Sequence, residues 1–183
     1  MRVLVVFESM FGNTQQIAEA VCGGLRTRGA TVELLEVSSS PHAVPDGVDG
    51  FVLGGPTHAR GMSRPGTREA ADRMTYEGLP APVSQGSGIR EWIERTQLPP
   101  RLPFACFDTR ARGPRLLSGS AARAAHAVLA GSGHAPVIPP ESFLVVKTGD
   151  DGVHHLVPGE AERARAWGET VAAHLRARIA PSP

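Results

Sequence analysis

The beginning of the chain constrains its fold most strongly, because an apolar run, a short polar loop and an amphipathic stretch follow one another directly. Residues 2–7 are almost all aliphatic, which predicts a parallel strand covered on both faces. Ser9, Gly12 and Asn13 lie in the loop that follows, and the apolar spacing beyond predicts a helix from Asn13 to about Arg28. A helix that begins directly after such a loop presents free N–H donors and its positive dipole end, which favour a phosphate. The first loop therefore predicts a phosphate site.

The rest of the chain alternates predicted strands with predicted helices. Further strands are expected at residues 31–37, 50–53, 103–107 and 142–147. Further helices are expected at residues 67–74, 89–95, 118–129 and 159–179. This alternation predicts an α/β fold with a doubly wound, five-stranded parallel sheet between helix layers. We expect one domain over residues 1–179 and a frayed tail at 180–183.

Composition limits the classes of function. The chain has 183 residues, a formal net charge of +1 and two cysteines. The near-neutral charge argues against a nucleic-acid binder. Cys22 and Cys106 fall inside predicted elements, which suits a reducing compartment. No apolar stretch approaches the roughly 20 residues of a membrane span, and no signal-peptide pattern precedes the first strand. We therefore expect a cytoplasmic protein.

The composition of the first loop narrows the phosphate ligand. The loop lacks both the Gly-x-Gly-x-x-Gly dinucleotide pattern and the Gly-Lys-Ser/Thr ending of a nucleoside triphosphate loop. Hydroxyl and amide side chains without a cation suit one phosphate monoester held largely by backbone dipoles. A simple capped turn between strand and helix is the alternative at this point.

The order of residues from Val5 to Val21 resembles the N-terminal FMN-phosphate signature of the flavodoxin family. The chain agrees with this signature at a hydrophobic pair and at Phe7, Ser9, Gly12, Thr14, Ala18 and Val21. The resemblance implies the strand order 2-1-3-4-5, with FMN at the carboxyl ends of the strands beside the switch between strands 1 and 3.

The same resemblance implies which residues bind FMN. The phosphate would be held by Ser9, Met10, Phe11, Gly12, Asn13 and Thr14. Two loops would flank the isoalloxazine ring, one with Pro56, Thr57, His58 and Ala59, the other with Asp108, Thr109 and Arg110. His58 is also suited to moving protons near neutral pH.

The ring loops depart from the pattern of an acidic electron carrier, because they contain no Trp or Tyr and are rich in arginine. The arginines near them are Arg60, Arg64, Arg68, Arg73, Arg110, Arg112 and Arg115. A cation beside the ring stabilises the anionic reduced flavin and raises its potential. We expect Arg110 or Arg60 to play this role. The alternative is that these arginines are solvated and pair with Glu69, Asp72 or Glu77.

Three functions remain open from the sequence. The first is an FMN-dependent electron-transfer protein that acts with a redox partner protein. The second is an FMN-dependent NAD(P)H oxidoreductase resembling quinone reductases. The third is a non-redox binding protein that has lost the flavin. No catalytic nucleophile is required, and a metal site is not expected because adjacent His154 and His155 would face opposite ways on a strand. The sequence does not fix the oligomeric state.

Overall fold

A computed structural model describes residues 1–75, 81–114, 118–147 and 153–179. The strands are β1 (Arg2–Phe7), β2 (Thr31–Glu36), β3 (Gly50–Pro56), β4 (Pro103–Ala111), β5 (Ala135–Pro136), β6 (Glu141–Lys147) and β7 (His154–Leu156). The helices are α1 (Asn13–Thr27), α2 (Pro65–Thr75), α3 (Ile89–Arg95), α4 (Ala121–Gly131) and α5 (Glu160–Ile179). The predicted tail, Glu77 and Arg115 lie outside the described residues.

One sheet organises these elements, in the order β2-β1-β3-β4-β6-β7, with β5 paired to β4. All pairs are parallel except β6 with β7, which is antiparallel. The predicted order 2-1-3-4-5 is confirmed, with β6 as the predicted fifth strand. Strands β5 and β7 were not predicted, because segments of two and three residues are too short to show a period.

The uninterrupted apolar run of β1 follows from burial on both faces of the sheet. Val3 and Val5 lie in the core formed with α1 and α5. Leu4 and Val6 lie in the opposite core, with side chains from α3 and α4. Successive side chains of a strand point to opposite faces, so a strand between two helix layers needs apolar residues at every position.

Helix boundaries agree with the predictions to within a few residues. The largest difference is at α4, which begins at Ala121 rather than at Ser118. Ser120 is extended and its side chain accepts a hydrogen bond from the backbone N–H of Arg123, which makes it the N-cap. Helix α2 begins at Pro65, two residues before the prediction, and proline is favoured in the first turn.

Both thiols are core groups. Cys22 and Cys106 are fully buried and free. Burial raises the pKa of the Cys22 thiol to about 11 and also raises the pKa of Cys106. Neither is a nucleophile near neutral pH, since the thiolate is the reactive form. Among the described residues, no helix is long and apolar enough to span a membrane.

Candidate functional site

The first loop leads from the end of β1 into α1 and leaves a row of backbone donors free. Gly12, the N-cap of α1, has φ +85° and ψ −15°, a left-handed conformation that glycine adopts readily. The backbone N–H groups of residues 10–14 have no acceptor among the described residues. These groups lie at the positive end of a 15-residue helix, the arrangement that binds a phosphate or another small anion.

A second segment holds the first loop in position. The backbone N–H of Ser9 donates to Ser84 Oγ at 2.9 Å, and the Ser84 N–H donates back to the Ser9 carbonyl at 2.8 Å. The Val83 N–H donates to the carbonyl of Met10 at 2.8 Å. Ser9 and Ser84 are both buried. These bonds use carbonyls of the loop and the Ser9 N–H, and they leave the N–H groups of residues 10–14 without a partner in this segment.

A cavity of about 240 Å³ opens beside this loop, at the carboxyl ends of β1, β3 and β4. Its walls are formed by Ser9, Met10, Phe11, Asn13, Thr14, Pro56, Thr57, His58, Thr109, Arg110, Ala111, Val145 and His154. This main cavity contains residues from all three segments that the resemblance assigned to FMN. It lies at the switch between β1 and β3, where doubly wound sheets bind ligands.

Three residues from the sequence-based set do not line the main cavity. Gly12 sets the backbone of the first loop, and Ala59 lies in an exposed turn. Asp108 is fully buried, and its Oδ2 accepts hydrogen bonds from Ser120 Oγ and, at 2.9 Å, from the backbone N–H of Ala122. In this structure Asp108 therefore stabilises the start of α4.

Threonine hydroxyls connect the walls of the main cavity. Thr14 Oγ1 and Thr109 Oγ1 are 2.7 Å apart and buried, which ties α1 to the end of β4. Thr57 N–H donates to the Thr109 carbonyl at 2.8 Å, and Thr57 Oγ1 accepts from the N–H of Ala121 at 2.9 Å. Hydrogen bonds thus join β3, β4, α1 and α4 around the cavity.

Sequence reasoning missed one wall of the cavity. Ala111, Val145 and His154 line it, and Asn13 Nδ2 donates to the His154 carbonyl at 2.7 Å. His154 belongs to β7, whose antiparallel pairing with β6 brings it to the cavity. The antiparallel return of three residues has no sequence signal, although the polar pair His154-His155 was visible as an unexplained feature.

The loop after β3 forms a tight turn beside the cavity. His58 and Gly61 exchange backbone hydrogen bonds of 2.9 and 3.0 Å, and the two residues between them have positive φ, +44° at Ala59 and +75° at Arg60. This is the geometry of a type I′ turn, which usually carries Asn or Gly. Gly119 pairs with Arg60, and the contact holds the 58–61 turn against the start of α4.

The arginines near the site occupy different environments. Arg110 is 8% exposed and lines the main cavity, and its Nη1 donates to the Gly113 carbonyl and to Ser118 Oγ, both at 3.0 Å. Among the described residues it has no carboxylate partner. Arg68 is also buried, but it pairs with Glu91 at 3.0 Å. The sequence-based expectation that Arg68 belongs to a basic mouth, or is solvated there, is therefore wrong.

A polar cluster lies at the end of β1 and is defined by Glu8, Ser63, Arg68 and Glu91, of which all but the half-buried Glu91 are buried. Glu8 Oε2 accepts from the backbone N–H of Ile89 at 2.9 Å, and Arg68 Nη1 donates to Ser63 Oγ at 2.8 Å. Desolvation raises the pKa of the Glu8 carboxyl, although Ser63, the Ile89 N–H and Arg68 act in the opposite direction. The cluster joins the end of β1 to α2 and α3.

His58 is the first residue of the 58–61 turn, and its titratable side chain lines the main cavity. Burial lowers the pKa of its imidazole, and the positive charge of Arg68 lowers it further. His58 is therefore mainly neutral at pH 7. Among the described residues, no three His, Cys, Asp or Glu side chains are grouped as metal ligands.

Comparison with solved structures identifies the fold. A flavodoxin from the domain Archaea matches with a TM-score of 0.65 and 16% identity, over 96% of this chain and 99% of that one. Oxidised flavodoxin 1 from Bacillus cereus matches with a TM-score of 0.62 and 18% identity, over 98% and 100% of the two chains. The flavodiiron protein from Giardia intestinalis matches with a TM-score of 0.57 and 21% identity, over 98% of this chain but 38% of that one.

The chain therefore has a flavodoxin-like fold, as the resemblance at its N-terminus implied. No protein-family profile and no curated protein sequence matches it.

Proposed function

We propose that the protein binds FMN non-covalently in the main cavity and transfers electrons through it. The observation that carries the proposal is the row of backbone N–H groups of residues 10–14, which lack an acceptor among the described residues at the start of α1. Such a row suits the phosphate of FMN. The position of the cavity, at the carboxyl ends of β1, β3 and β4, supports the same ligand.

The residues around the cavity fit the remaining parts of FMN. Pro56, Ala111 and Val145 supply apolar surface, and His58 supplies a flat ring. Thr57 and Thr109 supply polar groups between these surfaces. When bound, FMN supplies the redox chemistry, while the protein positions it and sets its potential.

Two residues would adjust the chemistry of the bound flavin. Arg110 places a positive charge in the cavity wall without a carboxylate among the described residues, so it stabilises negative charge on the reduced ring. Neutral His58 can accept or donate a proton at the cavity edge. Of the two arginines named from the sequence, we assign the tuning role to Arg110, because Arg60 is exposed and does not line the main cavity.

A comparison of FMN with riboflavin tests the proposal. Riboflavin has the same ring but no phosphate, so we expect the protein to bind FMN at least about tenfold more tightly, the value of one charge-assisted hydrogen bond. Thr14→Val should weaken FMN binding more than riboflavin binding, because it removes a hydroxyl beside the phosphate as well as the Thr14–Thr109 contact that both flavins depend on. Thr27→Val, in the exposed last turn of the same helix, is the matched control. Equal affinity for the two flavins would refute phosphate binding by the first loop, and no affinity for either would favour a non-redox protein.

The electron donor is either a redox partner protein or NAD(P)H. Anaerobic absorbance of the FMN-loaded protein separates them. Bleaching by NADH or NADPH alone indicates an oxidoreductase, whereas bleaching that requires an added reductase indicates a carrier. The two free, buried thiols are compatible with the reducing cytoplasm expected from the sequence.

A further inference from the structure

A second cavity, which we call the arginine cleft, lies on the other side of the 58–61 turn. It has a volume of about 350 Å³. Its walls are formed by His58, Ala59, Arg60, Gly61, Met62, Arg64, Thr67, Arg90 and Ala124. His58 lines both the arginine cleft and the main cavity, so the two spaces share a wall.

The positive charges of the cleft are not neutralised by the described part of the protein. Arg60 and Arg64 are exposed, and their side chains make no hydrogen bond or ion pair with described residues. Arg90 makes only long contacts, of 3.4 and 3.5 Å, with the carbonyls of Ser63 and Met62. Among the described residues, no carboxylate lines the cleft. Converging cations without counter-charges attract an anion.

The backbone adds to this field. Helix α2 begins at Pro65, directly after Arg64, so its positive dipole end is directed toward the cleft. Thr67 Oγ1 caps this end by exchanging hydrogen bonds of 2.9 and 2.8 Å with the N–H and carbonyl of Arg64. The bonds fix the backbone of Arg64 while its guanidinium remains available.

We propose that the arginine cleft binds the diphosphate of a small redox reactant, the chemistry carried by nicotinamide dinucleotides. This inference rests on the proposed function, because it names the partner of the flavin. Guanidinium groups bind phosphate oxygens in a bidentate manner, and a concave space of this size suits a small molecule. A dinucleotide carries its phosphates at a distance from its redox ring, so the ring can extend across the 58–61 turn toward the main cavity.

Titration of the FMN-loaded protein with inorganic pyrophosphate, and separately with NADPH, tests the inference by calorimetry. FMN occupies the first loop, so heat from pyrophosphate reports the cleft. We expect Arg64→Gln and Arg90→Gln each to weaken binding of both probes about tenfold, as for loss of a charge-assisted hydrogen bond. Arg73→Gln removes the same charge from an exposed position of α2 outside the cleft. This control should change the affinity less than about twofold.

FMN affinity, measured for each variant, separates failure of this inference from failure of the proposed function. If FMN binds but neither probe does, or if Arg64→Gln and Arg73→Gln behave alike, the cleft assignment is overturned and the flavin site stands. If soluble polyglutamate slows the reduction of bound FMN while pyrophosphate does not bind, the cleft assignment is overturned in favour of an acidic protein partner. If FMN does not bind, the proposed function fails, and with it the redox identity of the reactant.

Discussion

Substitution of Gly119 tests how the 58–61 turn is held between the two cavities. Gly119 has φ +69° and pairs with Arg60. A Cβ atom at this position would lie 2.2 Å from the Arg60 carbonyl oxygen and 2.4 Å from its Cα. Both are backbone atoms, so no flexible side chain can move away. Gly119→Ala must therefore displace the turn or the start of α4.

The expected loss of stability in Gly119→Ala has two parts. A left-handed conformation costs a residue with a side chain about 1–2 kcal/mol, and forcing an extra carbon into packed structure costs about 1–3 kcal/mol. We expect Gly119→Ala to lower the free energy of unfolding by about 2–5 kcal/mol. Gly133 is the matched control, since it has φ +87° and a Cβ there would meet nothing within 4 Å. Gly133→Ala should show only the conformational part, about 1–2 kcal/mol.

Urea denaturation followed by circular dichroism measures both free energies. The affinities for FMN and pyrophosphate should fall in Gly119→Ala, because residues of the displaced turn line both cavities. Both affinities should be unchanged in Gly133→Ala, which is exposed at the end of α4. Equal losses of stability in the two variants would refute the reasoning, because the close contact would then be relieved without cost.

Three further predictions concern side chains at the site. Arg110→Gln should lower the two-electron midpoint potential of bound FMN by about 30–60 mV, equivalent to about 1.4–2.8 kcal/mol. Arg112 is exposed, so Arg112→Gln should leave the potential nearly unchanged. Equal shifts in the two variants would contradict the tuning role of Arg110. Burial lowers the pKa of His58 from its usual 6.5, so the unfolded chain binds its proton first and stability falls as the pH drops through about 6.5. His58→Gln should reduce this slope in urea titrations, and an unchanged slope would exclude His58 as its source. Asp108→Ala should lower the free energy of unfolding by about 1–3 kcal/mol, because the Ala122 N–H loses its acceptor. A large loss of FMN affinity in the folded variant would instead place Asp108 in contact with the cofactor.

The sheet and the first loop were predictable because their signals are local. A strand buried on both faces must be apolar wherever it is buried, as residues 3–7 of β1 are. Every helix leaves its first N–H groups without an acceptor inside the helix, so the free donors after Gly12 follow from the start of α1 alone. These features depend on neighbours in the sequence, so they can be recognised without knowledge of the rest of the fold.

The remaining wall of the main cavity was not predictable because it depends on tertiary pairing. His154 reaches the cavity through a short antiparallel pairing of β7 with β6. The resemblance required Asp108 in a loop after the fourth strand, but β4 runs on to Ala111, so Asp108 lies inside the strand and its carboxylate meets the N-terminus of α4. The apolar pattern locates a strand, whereas its end and the surroundings of each side chain depend on the neighbouring strands and helices.

The arginine-rich character of the ring loops separates, in three dimensions, into three kinds of environment. Arg68 is buried and neutralised by Glu91, so it supports structure. Arg110 is buried beside the main cavity, where low solvent exposure strengthens its effect on any charge in that cavity. Arg60 and Arg64 are exposed in a concave cleft, where their field attracts a diffusing anion but is screened by salt. On the two proposals made above, a net charge of +1 conceals two separable electrostatic tasks, one that sets the potential of the cofactor and one that recruits its reactant. Because the turn between them is fixed by Gly119 and not by either charge, each task can be changed by substitution without loss of the other.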